Sequence, residues 1–256
     1  MTQREKAETF RALHEGDPFL FPNPWDAGSA RMLEAVGFKA LATTSSGFAF
    51  TRGKLDGGVT LDEVVEHVAL LCGATSLPVA VDLENGYGAP SVAVTRVAQA
   101  GAVGGSIEDY DPAGRLYPVE EAVERVSDAV AAARALDFPF TFTARAEGQL
   151  RDPDLDDTIA RLQTYERAGA DVLFAPGLRT ADEVRAVCSA VGRPVNVLGH
   201  RGLTMAEIVE AGGQRVSVGG ALTWVAVGAA FEAAEKLRDG DLSVLTARLP
   251  LADWLT

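Results

Sequence analysis

The 256-residue sequence predicts an α/β protein built as a single (β/α)8 TIM barrel, and three observations carry that expectation. Eight strand-then-helix units recur about 20 to 35 residues apart, a spacing that fits crossover helices between parallel strands. The strands are short continuous apolar runs rather than alternating ones, which is the pattern of strands buried on both faces. The length also suits a barrel, for which about 250 residues is ordinary. A doubly wound open sheet is the runner-up, weakened because no Gly-x-Gly-x-x-Gly turn follows the first strand.

A polar amphipathic helix is expected from Thr2 to His14, with Phe10 and Leu13 one turn apart. Strand one, Phe19 to Pro22, leads through Asn23-Pro24-Trp25-Asp26-Ala27-Gly28-Ser29-Ala30 into a helix reaching about Val36. Strand two, Ala40 to Thr44, ends in a hydroxyl-rich tip, Thr44-Ser45-Ser46-Gly47-Phe48, whose glycine lets a ligand approach the backbone. A glycine-rich connection, Ala49 to Gly58, carries Asp56, and Thr60 then caps a helix with Asp62 and Glu63 in its first turn. Strand three, entered at Pro78, runs into Val81-Asp82-Leu83-Glu84-Asn85-Gly86-Tyr87-Gly88. A helix from Ala89 to Ala100, strand four from Val103 to Ile107 and a helix from Pro118 to Ala135 follow. Strand five, Pro139 to Ala144, delivers Arg145 and Glu147, and strand six is Asp171 to Ala175 after a helix from Leu155 to Ala168. Thr180 with Glu183, and Thr204 with Glu207, make capping boxes on either side of strand seven, Pro194 to Leu198. Strand eight, Arg215 to Val218, precedes a helix from about Ala221 to Leu237.

The last segment, residues 241 to 256, carries Leu245, Leu249, Leu251, Trp254 and Leu255 and is too apolar to be a free tail. Burial against its own barrel or against a neighbouring subunit would satisfy it, and an oligomer is expected.

A formal net charge of -13 without any basic cluster argues against nucleic acid or an anionic membrane as partner. The two cysteines, Cys72 and Cys188, give no disulfide framework and no zinc spacing. No apolar run approaches a membrane span, so a cytoplasmic protein is expected.

The chemistry collects at strand ends. Asp82 and Glu84 lie two apart at the end of a buried strand and so face one way, an arrangement that calls for a cation or for protons. With Asp56 and Glu108 they make four acids at one barrel mouth, beside Arg145. All-oxygen donors without a His or Cys cluster point to Mg²⁺ or Mn²⁺ rather than zinc. Because Mg²⁺ keeps several waters, one direct carboxylate, assigned to Asp82, is expected, with the others holding its waters.

The stretches Asn23 to Ala27, Thr44 to Gly47, Val81 to Gly88, Ser106 to Asp109 and Thr143 to Arg145 resemble the isocitrate lyase / phosphoenolpyruvate mutase superfamily. Phe174 to Leu178 and Pro194 to Val197 extend the resemblance over nearly the whole chain. It implies a Mg²⁺-dependent barrel that binds a 2-oxo acid or its enolate, in dimers or tetramers that swap the eighth helix. Carried over by position, Asp82 is the direct metal ligand and Asp56, Glu84 and Glu108 surround the metal waters. The Ser46 and Gly47 amides resemble the family's oxyanion-binding turn, and Arg145 its clamp on the substrate carboxylate.

The chain departs from the family after strand four, where Tyr110-Asp111-Pro112-Ala113-Gly114-Arg115-Leu116-Tyr117-Pro118 replaces both the Lys-Lys-Cys-Gly-His lyase loop and the mutase loop. The expected function is therefore the reaction that asks least of that loop: C–C cleavage of a small 2-oxo or 2-hydroxy dicarboxylic acid. Decarboxylation of an oxaloacetate-type acid and retro-aldol cleavage of an alkylmalate or methylisocitrate type both qualify. A P–C bond mutase or hydrolase, with Arg115 or His200 in place of the loop lysine, is the alternative, and a non-catalytic oxo-acid-binding barrel the third reading. His200 is the candidate general acid or base by residue type. Ser45, Trp25 and Tyr87 are expected as pocket walls, Asn196 as an orienter of a substrate carboxylate, and Glu147 either as the partner of Arg145 or as a ligand contact.

Overall fold

The computed structural model describes residues 1–245, 249 and 251–255 of the chain. Helix α1 (Gln3–Leu13) starts at Thr2, whose hydroxyl accepts the Glu5 N–H while the Glu5 carboxylate accepts the Thr2 N–H. The alternation then runs β1 (Phe19–Leu20), α2 (Ala27–Val36), β2 (Leu41–Ala42), α3 (Ser45–Thr51), α4 (Leu61–Ala74), β3 (Val79–Asp82), α5 (Pro90–Gln99) and β4 (Gly104–Glu108). It continues through α6 (Val119–Arg134), β5 (Thr141–Arg145), α7 (Gly148–Arg151), α8 (Leu155–Arg167), β6 (Val172–Phe174) and α9 (Ala181–Ala190). β7 (Val195–Leu198), α10 (Met205–Glu210), β8 (Arg215–Ser217) and α11 (Ala221–Arg238) close the series, and a short α12 (Leu251–Leu255) lies beyond it. Side-chain caps set where many helices begin: Asp26, Thr44, Thr60, Asp154, Thr180 and Thr204 each accept an amide of the first turn.

All paired strands are parallel, in the order β1-β8-β7-β6-β5-β4-β3-β2. The seam between the two ends is joined by the Ala42 N–H donating to Pro22 O at 3.1 Å and by Asn23 Nδ2 donating to Thr43 O at 2.9 Å, so the sheet closes on itself as a (β/α)8 barrel. Helices pack on the outside through Val64, Val68, Ala93, Val97, Val126, Leu162 and Val184. The N-terminal end is plugged by α1, whose Phe10 packs with Phe19, Phe21, Ala42, Ala80 and Val103. Gly104 admits the Phe10 ring, since a Cβ there would lie 2.8 Å from Phe10 Cε1. Small side chains on β2 and β3 and this plug leave a cavity of about 190 Å³ running down from the C-terminal mouth.

The structure departs from the sequence-based expectation in two places. The tip after strand two is not an extended turn, because Thr44 caps a helix there and Ser45 to Thr51 form α3. A further short helix, α7, follows strand five. At the C-terminus, α12 lies beside α2, with Arg31 Nη1 donating to Leu255 O at 3.0 Å, yet Leu242, Leu245, Leu249, Leu251 and Leu255 stay more than half exposed in the single chain. Positions 246–248, 250 and 256 of that segment lie outside the described residues. On α11, Val225 and Phe231 are 68 % and 63 % exposed, which leaves an apolar surface bare. Among the described residues no helix is long and apolar enough to cross a membrane.

Candidate active site

The mouth is built from strand ends because parallel β/α units place their βα turns on one face. β3 ends on Asp82, and the turn behind it holds Glu84 and Tyr87 at φ 48° and 52°, in the left-handed region that non-glycine residues rarely occupy. That turn is fixed by the Glu84 N–H donating to Asp82 Oδ1 at 3.2 Å and the Tyr87 hydroxyl donating to Glu84 Oε1 at 2.9 Å. β4 ends on Glu108, and the loop after α3 contributes Asp56.

These carboxylates feel one another. Burial pushes Glu84 up to about 7, with the charges of Asp82 and Asp56 adding to the effect and the Tyr87 hydroxyl opposing it. Burial likewise raises Glu108, with Glu147, Asp82 and Glu84 adding to it and Arg145 opposing it. Asp56 is raised by burial and by Asp82, against the Ser45 hydroxyl and Arg145.

Arg145, at the end of β5, is the cation of the mouth. Glu147, fully buried, takes its Nε and Nη2 edge at 2.6 and 3.0 Å, and Nη1 has no hydrogen-bond partner among the described residues. The guanidinium also lies 3.4 Å from Glu108 and over the Phe174 ring. Burial works against its charge, but Glu108, Glu147 and Asp82 outweigh that and keep it protonated. Glu147 is thus the partner of Arg145, and it also holds Arg151, which stacks on Tyr110.

Two cavities meet at this mouth. Ser45, Ser46, Asp56, Asp82, Ser106, Thr143, Arg145, Phe174, Asn196, Arg215 and Ser217 line much of the inner one. The outer, of about 380 Å³, is bordered by Ser45, Asp56, Glu84, Glu108, Tyr110, Asp111, Arg145 and Arg151. The segment after β4 forms a tight hairpin: Tyr110 pairs with Leu116, and Arg115 Nε donates to Asp111 Oδ2 at 2.6 Å.

Several sequence-predicted residues stand elsewhere. His200 is exposed, its Nδ1 accepting the Gly202 N–H at 3.0 Å, and it borders neither cavity. The turn after β7 ends the strand before its side chain can reach the axis. Trp25 sits behind Gly47 instead of lining the cavity, and Tyr87 serves Glu84. Gly47 is a packing position: a Cβ would lie 2.6 Å from Thr223 Oγ1 and 2.7 Å from Thr44 Cγ2, and its N–H is directed at Thr44 Oγ1. Asn196 does line the cavity, but both ends of its amide are engaged, by Arg215 and by Ser217. Arg215 itself was missed. An arginine at the start of a buried strand was the available signal.

The donor set suits a hard divalent cation. Among the described residues no three His, Cys, Asp or Glu side chains gather closely enough to cage an ion by themselves. Carboxylates raised by burial and by their acidic neighbours fit an ion that keeps part of its hydration shell.

A closed (β/α)8 barrel with buried carboxylates and a held arginine at its C-terminal mouth defines an enzyme-type barrel. Within that class, the chain belongs to the phosphoenolpyruvate mutase family, whose model, phosphoenolpyruvate phosphomutase, matches residues 10–238. It is 50% identical to a protein of Burkholderia cenocepacia J2315 provisionally described as a lyase/mutase, with a TM-score of 0.94 over 98% of this chain and 96% of that one. An oxaloacetate decarboxylase of Bradyrhizobium sp. (strain ORS 278) is 31% identical over 99% of this chain and 92% of its own length. The crystal structure of a 2,3-dimethylmalate lyase of the PEP mutase/isocitrate lyase superfamily is 27% identical, with a TM-score of 0.86 over 99% and 93% of the two chains.

Proposed function

We propose that this protein is a Mg²⁺-dependent lyase, Mn²⁺ serving in its place, that cleaves a C–C bond of a small 2-oxo or 2-hydroxy dicarboxylic acid through an enolate. The observation that carries the reading is a held, protonated arginine and three carboxylates raised by burial and by neighbouring acids, Asp56, Glu84 and Glu108, all bordering the outer cavity. Asp82 would hold the ion, with Asp56, Glu84 and Glu108 around it. When bound, the ion supplies Lewis-acid polarisation of the substrate's oxo group. Arg145 offers its Nη1 edge to the substrate carboxylate, and Glu147 keeps that edge aimed inward. The Ser46 amide, in the first turn of α3 and beside the cavity, receives the oxygen on which charge develops. The names of the relatives, a decarboxylase and a malate-type lyase, support the same class of bond.

The phosphorus–carbon alternative is disfavoured because both residues suggested for the phosphoryl group are engaged locally, Arg115 by Asp111 and His200 by Gly202. The apolar surface on α11 supports a homo-oligomer, dimer or tetramer, as the working form.

Incubation with oxaloacetate and with 2- and 3-alkylmalates in the presence of Mg²⁺ tests the reading. A 2-oxo acid product that vanishes with EDTA and returns with Mg²⁺ is expected. No product above buffer, with phosphorus NMR showing turnover of phosphonopyruvate instead, would overturn it.

A further inference from the structure

Arg215 enters the barrel interior from β8 and is 3 % exposed, and no carboxylate pairs with it among the described residues. Its contacts are neutral. Nε donates to Asn196 Oδ1 at 2.8 Å, Nη2 donates to Thr143 Oγ1 at 3.1 Å, Nη1 meets His14 Nε2 at 3.0 Å, and the guanidinium carbon lies 4.5 Å over the Phe21 ring. A guanidinium only donates, and that fact orders everything it touches. Asn196 must turn its carbonyl oxygen to Arg215, so its amide nitrogen faces β8 and donates to Ser217 Oγ at 2.9 Å. Ser217 and Thr143 therefore both spend oxygen lone pairs as acceptors, and each hydroxyl proton is left to donate. Both residues line the inner cavity, both are more than nine-tenths buried, and no acceptor for either proton appears among the described residues.

We propose that Ser217 and Thr143 are substrate-binding residues, an anionic-oxygen subsite below the mouth whose hydroxyls are turned into donors by Arg215, directly for Thr143 and through Asn196 for Ser217. The inference deepens the oxo-acid reading and rests on it, because it names further contacts in the same cavity. Thr143 is two residues before Arg145 on the same strand face, so the subsite lies roughly 7 Å below the Arg145 backbone. The uncompensated guanidinium supplies a positive field from beneath, where the ligand's negative charge would complete it. Asn196 and Arg215 are positioning residues: they reach the ligand only through the two hydroxyls.

The test is calorimetric titration of the full chain with oxalate in the presence of Mg²⁺, with thermal unfolding of each variant as a check on folding. Ser217→Ala and the near-isosteric Thr143→Val are each expected to weaken oxalate roughly 10- to 100-fold, the size of a hydrogen bond to a charged group. Thr143→Ser, which keeps the hydroxyl, restores binding to within about threefold of the parent, a difference under 1 kcal/mol. Asn196→Ala weakens oxalate in the parent and in the Thr143→Val background, but adds less than about twofold in the Ser217→Ala background, because it acts on that branch alone. A purely structural role for Asn196 would weaken both backgrounds alike and would refute the chain of donors. Oxalate affinity unchanged in Ser217→Ala and Thr143→Val, with the parent binding normally, overturns the subsite and leaves the proposed function standing. A parent that binds no oxalate with Mg²⁺ ends both.

Discussion

Acidification should destabilise this protein through His14, and the amount can be worked from the geometry. His14 is 9 % exposed, between α1 and the barrel floor, and its two ring nitrogens face a guanidinium and a carbonyl. Arg215 can only donate, so Nε2 is the acceptor and Nδ1 carries the proton that it donates to Phe10 O at 2.8 Å. A second proton would have to enter at Nε2, against the arginine and within a buried setting. Burial first, and the Arg215 charge second, hold the imidazole down at about 3 against an unfolded value of 6.5, with the Phe10 carbonyl opposing. Between those two values the unfolded chain binds more protons than the folded one, so stability is complete above pH 6.5 and falls as pH falls. From pH 7.5 to pH 5 the loss is about 2 kcal/mol, equivalent to roughly 4–8 °C in melting temperature for a chain of this size. His67, pushed down to about 4 by burial with the Asp26 charge opposing, acts in the same direction. Glu84, Glu108 and Asp56, raised by burial, act in the opposite one. The informative quantity is therefore the difference between the parent and His14→Gln, in which those contributions cancel. Urea unfolding of both proteins at pH 7.5 and pH 5 measures it. The parent should lose about 2 kcal/mol more than the variant on acidification; equal losses would refute the neutral, arginine-facing assignment of His14.

Gly47→Ala forces a Cβ to within 2.6 Å of Thr223 Oγ1 and 2.7 Å of Thr44 Cγ2, so α3 and α11 must part. Overpacking of this kind costs about 1–3 kcal/mol, and a fall in melting temperature together with activity is expected; an unchanged melt would show that the contact yields freely. Arg145→Lys keeps the charge but loses the two-point grip of Glu147, and kcat/KM on the active oxo acid should fall about 100-fold or more, with retained activity counting against the clamp. Ending the chain at Asp241 removes the exposed leucines beyond it, and sedimentation should report a smaller particle than the parent if that segment covers a neighbouring subunit.

The sequence by itself determined the architecture. Strands buried on both faces are predominantly apolar, and crossover helices leave no choice but parallel pairing, so the barrel was legible from runs such as Val79–Val81 and Val172–Phe174. It also determined which face carries the charged groups, because strand-end positions of Asp82, Glu108 and Arg145 follow from the same repeat. Family resemblance added the chemistry expected of those positions, and the match over residues 10–238 shows the family itself.

Tertiary structure decided what each polar side chain faces, which depends on neighbours distant in sequence. Glu147 became the arginine's holder because the barrel places it beside Arg145 with no water to compete. His200 fell outside the site because a turn two residues long satisfies its ring locally. Ser45 to Thr51 became a helix because Thr44 caps them, a local signal read as a strand end. Arg215 shows the difference most plainly. One letter in a short buried strand carries no hint of direction, yet inside a closed barrel a group that can only donate, surrounded by neutral partners, dictates the orientation of an amide and two hydroxyls.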